Sequence, residues 1–78
     1  MKPVTTEKAI LLINIANTIV FEVDMKKNKN VIKKEVEDYF NIKIDSVNIH
    51  IRSNKKYAYI KLNPKYLAAD LATKLGIM

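Results

Sequence analysis

Two phenol rings placed two residues apart among cations are the clearest chemistry that this chain offers. Tyr57 and Tyr59 alternate with Ala58 and Ile60, and Arg52, Lys55, Lys56 and Lys61 lie close by in the chain. Flat rings set between fixed positive charges suit unpaired bases and phosphates. Read with a period of two, Asn48–Asn63 forms a tight antiparallel hairpin with two unlike faces. Val47, Ile49 and Ile51, with Ala58, Ile60 and Leu62 on the return strand, make the oily one. Asn48, His50, Arg52, Tyr57, Tyr59 and Lys61 make the other, with Lys55 and Lys56 at the turn. The competing reading packs both tyrosines under a helix as ordinary core, since aromatics favour strands. Yet the opposite face already supplies apolar side chains, and Arg52, Lys56 and Lys61 would be awkward beneath a helix. The interleaving points to exposed rings in contact with RNA.

Other chemistry is poorly supplied. With His50 as the single histidine and no cysteine, neither a Cys-His pair nor a His-rich metal cluster can be assembled. One glycine, Gly76, rules out every glycine-rich phosphate loop. Glu37 and Asp38 adjoin on a solvated helix face. No enzyme, metal or cofactor is expected. His50 reads as a polar contact or an idle surface residue. Lys26, Lys27 and Lys29 are either a solvated loop or a phosphate site beside a helix start, where amides and dipole welcome an anion. Lys33 and Lys34 follow on that helix.

The whole chain agrees with a polyanion partner. Fourteen basic residues against eight acidic ones give a net charge of +6 in 78 residues, which favours nucleic acid first and an acidic membrane surface second. Half of the residues are hydrophobic, enough for one small core. The longest apolar run, Ala9–Ile13, is too short to span a bilayer, and no signal peptide is evident. A soluble intracellular protein is the expectation.

These residues need elements to hold them. Thr5, Thr6 and Glu7 open a first helix ending near Ile13, with Asn14 and Asn17 around a turn. Thr18–Asp24 alternates as a strand with Ile19, Phe21 and Val23 inward. Asn28 or Asn30 caps a second helix, about Val31–Phe40, whose apolar stripe is Val31, Ile32, Val36, Tyr39 and Phe40. Lys33–Glu37 and Lys34–Asp38 are spaced as ion pairs, and Asn41 ends the helix. Ile42 and Ile44 are out of parity with Val47, so a bulge is expected near Asp45-Ser46. Asn63 caps the last helix, Pro64 opens it, Leu67, Leu71 and Leu75 line its buried side, and Gly76 stops it with Ile77 folded back on Ala72. The final strand slots between two crossover strands, giving an α+β fold of the split β-α-β sandwich type. The first helix is apolar nearly all round, which fits either burial between sheet and last helix or a patch for a protein partner.

The succession TEKAILLI, NTIVFEVD, IKKEVEDYFNIKI, KKYAYIKL and YLAADLATKLGI resembles the L twenty-three family of large-subunit ribosomal proteins, in its short archaeal-type form. Tyr57-Ala58-Tyr59-Ile60-Lys61-Leu62 and Thr6-Glu7-Lys8-Ala9 are the most specific parts. The resemblance implies a small four-stranded, mainly antiparallel sheet with three helices and a very short first strand around Lys2–Val4. It also implies binding to large-subunit ribosomal RNA beside the exit of the nascent-peptide tunnel, among neighbouring ribosomal proteins. There the family forms a docking platform for factors such as the signal recognition particle and the translocon. Thr5, Thr6 and Glu7 match the factor-docking residues of bacterial members. Two departures stand out. Where the family commonly has two basic residues before the alanine, Tyr57 stands in place of the second, and the family's V-N-T-L reads Val47-Asn48-Ile49-His50, losing a hydroxyl and gaining an imidazole. The hairpin turn, about Ser53–Lys55, is too short to line the tunnel.

The expected function is that of a structural, ribosome-bound component of the cytoplasm. It would contact RNA through Lys26, Lys27, Lys29, Lys33, Lys34, Asn48, His50 and Arg52, together with Lys55, Lys56, Tyr57, Tyr59 and Lys61. The alternatives are a protein–protein interaction module with a basic face, or a free-standing RNA chaperone on the same scaffold.

Overall fold

A computed structural model describes residues 2–77. Its elements run β1 (Lys2–Pro3), α1 (Glu7–Ile15), β2 (Thr18–Val23), α2 (Lys29–Phe40), β3 (Ile44–Arg52), β4 (Lys55–Leu62) and α3 (Ala68–Lys74). The sheet order is β1-β2-β4-β3, with every neighbouring pair antiparallel. The last strand therefore lies between β2 and β3, as the split β-α-β pattern requires. The fold is α+β, with a four-stranded antiparallel sheet and three helices, and β1 is as short as the resemblance implied.

Local chemistry explains most boundaries. The Thr6 hydroxyl accepts the Ala9 amide at 3.2 Å and caps α1. The Asn28 side chain accepts the Val31 amide at 2.9 Å and caps α2. Asn41 closes that helix in the left-handed region, φ 54°. Asp45 is the unpaired residue of a bulge, since Ile44 faces Leu62 while Ser46 already faces Lys61. The bulge lets Ile44 and Val47 both point inward despite their odd spacing. At the hairpin tip Ser53 and Asn54 have φ 52° and 61°, the paired positive values of a two-residue type I′ turn. Lys55 thus belongs to β4, opposite Arg52, rather than to the turn.

The C-terminal helix begins later than expected. Asn63 does not cap it. Its side chain accepts the Lys65 amide and its carbonyl the Tyr66 amide, making a separate turn over Pro64. The helix starts at Ala68, and its cap comes from across the molecule: Asn17 Oδ1 accepts the Ala68 amide at 2.7 Å. The Asn17 Nδ2 donates to the carbonyls of Tyr66 (2.8 Å) and Leu62 (3.4 Å). At the other end the Gly76 amide reaches the Thr73 carbonyl and the Ile77 amide the Ala72 carbonyl, with Gly76 at φ 75°. This is the Schellman closure that the glycine announced.

The core lies on one side of the sheet. Ile19, Phe21, Val47, Ala58, Ile60 and Leu62 face Ile32 and Val36 of α2 and Leu71 and Ala72 of α3, with Ile13 of α1 joining them. Four apolar residues depart from their expected positions. Val31 and Tyr39 are exposed on α2, leaving Ile32, Val36 and the half-buried Phe40 as its inner stripe. Leu67 precedes α3 and is exposed, and Ile51 lies near the hairpin tip, beyond the cover of the helices.

Candidate nucleic-acid interface

The opposite sheet face carries the tyrosines. Register places Asn48 beside Tyr59 and His50 beside Tyr57 on β3–β4, and Val20 and Glu22 beside the same two rings on β2. Arg52 and Lys55 face each other at the tip, while Lys61 sits at the far end beside Thr18 and Ser46. Both rings are half-buried and lie outside the core cluster. His50 leans on Tyr59, ring centroids 4.7 Å apart with planes at 57°. Among the described residues, neither phenol hydroxyl has a protein hydrogen-bond partner, so both remain available to a ligand.

This face is not a bare platform. Val4, Thr6, Lys8, Ala9 and Leu12, from the β1–α1 segment, line one concavity with Val20, His50, Arg52 and the two tyrosines. Val20 is only 3% exposed and Ala9 4%, although neither belongs to the main core. They form a second, smaller apolar layer that alternation within β2 gave no reason to expect. The signal was present in the unbroken run Ile19-Val20-Phe21, which marks a strand buried on both sides.

Several cations are placed differently from the reading of a single basic surface. Lys56 is on the other parity, opposite Val23 and Ile51. Its ammonium donates to the carbonyls of Met25 and Lys27, tying the β2–α2 loop to β4. Lys27 is paired with Glu35, its ammonium 2.9 Å from each carboxylate oxygen. Lys26 is exposed in the same loop, and Lys29 is exposed at the first position of α2. Lys33 and Lys34 ride on α2, which packs on the core side of the sheet, away from the rings. The ion pairs expected for these two are absent among the described residues; Glu37 instead accepts the Ile44 amide at 3.0 Å. The thirteen residues thus divide into a ring face with its tip, and a loop-and-helix group joined to it through Lys56.

Sequence reasoning missed three members of the ring face. Lys8 lines the concavity from α1, and Lys2 stands opposite Glu22 on β1. Glu22 itself brings an acid to the cationic surface, 3.9 Å from the Lys55 ammonium, a long and largely solvated pair of little energetic weight. Thr5, Thr6 and Glu7 sit where β1 meets α1, with the Thr6 hydroxyl already engaged as a cap. Among the described residues no group of acidic residues and histidine is placed to hold a metal ion.

The architecture defines a small split β-α-β domain with one sheet face packed by helices and one partly open. Residues 1–69 match the family model of Ribosomal protein L23, and the chain belongs to that family. It is a ribosomal protein of the large subunit, a structural and non-enzymatic kind.

Proposed function

We propose that this protein binds large-subunit ribosomal RNA through the ring face and stands beside the exit of the nascent-peptide tunnel. The observation that carries the RNA reading is the pair Tyr57 and Tyr59, half-buried yet outside the core, with Arg52 and Lys55 at one end of their face and Lys61 at the other. Stacking and hydrogen bonding at the rings would fix position, and the surrounding ammonium groups would neutralise phosphates. Lys26 in the β2–α2 loop and Lys29 at the start of α2, both exposed, extend the cationic surface. Lys33 and Lys34 serve a second RNA segment on the α2 side.

Family membership supports the exit-site placement, the neighbouring ribosomal proteins as partners and a ribosome-bound life in the cytoplasm. It also supports a role in docking factors such as the signal recognition particle and the translocon. Thr5, Thr6 and Glu7 of the candidate docking segment are all exposed, with the Thr6 hydroxyl engaged as the α1 cap. A two-residue hairpin turn leaves no loop to enter the tunnel. No helix among the described residues is long and apolar enough to cross a membrane. Sedimentation of a cell lysate tests the reading: comigration with the large subunit is expected, and recovery only at the top of the gradient defeats it.

A further inference from the structure

An open sheet lets bases lie flat in a row, but here the β1–α1 segment stands over one side of the ring face. What remains is a concavity of about 360 Å³. Its floor is apolar: Val20, itself only 3% exposed, lines it with Ala9 and Leu12 of α1. Its far wall is aromatic, formed by Tyr57, Tyr59 and the tilted His50. Cations stand at two sides, Lys8 on the helix and Arg52 near the hairpin tip. Apolar side chains, aromatic rings and cations lining one concavity are the chemistry that a single nucleobase with its phosphate requires. A paired base has its faces stacked and its Watson–Crick edge occupied, so a duplex can present neither to this pocket.

Resting on the RNA-binding reading of the same face, we propose that the pocket takes one unpaired nucleotide turned out of its strand. The base enters over Val20 and stacks on the tyrosine wall. The flanking phosphates meet Lys8 and Arg52. This makes the contact selective for a bulge or loop, where turning a base out costs least, rather than for helical RNA in general. Glu22, on the same face, adds discrimination by repelling phosphates that approach from the β2 side.

The full chain is titrated at low salt with two RNAs, a short uninterrupted duplex and the same duplex carrying one bulged 2-aminopurine. The bulged RNA is expected to bind at least about tenfold more tightly, and its fluorescence to fall as the base stacks. Tyr59→Leu should abolish the difference between the two RNAs. Lys8→Glu, on an exposed helix position, should shrink it even if the first variant folds poorly. Equal affinity for both RNAs with unchanged fluorescence overturns the pocket and leaves the RNA-binding face standing. Failure of the wild-type chain to bind either RNA overturns the face and the pocket together.

Discussion

At the scale of single residues, Asn17 accomplishes more than its type announces. It holds φ 50° and its side chain makes three hydrogen bonds, capping α3 and securing the carbonyls before it. An alanine there loses those bonds and must still adopt a left-handed backbone, together about 2–3 kcal/mol. Asn17→Ala is expected to lower the melting temperature by ~10 °C or more, whereas Asn17→Gly keeps the backbone and isolates the hydrogen-bond share. Thermal denaturation by circular dichroism separates the two. Tyr57 and Tyr59 are the test of the interface at this scale. Changing both to alanine should cost about 2 kcal/mol or more of RNA affinity if each stacks on a base, read by filter binding with folding checked separately. Caps that act within a few residues, Thr6, Asn28, Asn41 and Gly76, were legible from sequence because their partners are local. Asn17 was not, because its partners lie from Leu62 to Ala68, a tertiary bond that no window contains. Lys27 and Lys56 looked free for the same reason: Glu35 and the loop carbonyls come to them only in the fold.

At the scale of elements, alternation and turn chemistry carried far. The hairpin's two faces, its bulge and the place of β4 between β2 and β3 all follow from parity and the crossover rule. Periodicity did less for the helices. Tyr39 and Leu67 are apolar in type but exposed, since the core ends at Phe40 on α2 and Ala68 on α3. Nor could the alternation of β2 reveal the layer under α1, which depends on where that helix crosses the sheet. The turn offers a direct experiment. Ser53 carries a positive φ that serine adopts reluctantly, and Asn54 carries another. Replacing the pair by Asn-Gly, the preferred type I′ dipeptide, should stabilise the domain by about 0.5–1 kcal/mol. Urea denaturation with an unchanged slope would confirm that the turn alone has improved.

For the molecule as a whole, charge sets affinity and topology sets folding. If ~6 phosphates are neutralised, log K should fall with log salt at a slope of roughly −4 to −5. Lys26→Ala or Lys29→Ala should each reduce that slope by about 1, while Lys27→Ala changes it less, its charge being already met by Glu35. A flat salt response would remove the electrostatic case. The strand order carries a further meaning for synthesis. Thr18 pairs with Lys61 and Val23 with Lys56, so the middle of the sheet is the last strand to leave a translating ribosome. Until then β3 has nothing to lie against, and the apolar side of α2 has only half a surface to cover. The chain must therefore wait, uncommitted, and then close in one concerted step. A nascent fragment that stops at Arg52 should show no protease-resistant core, and one that includes Ile77 should acquire it all at once.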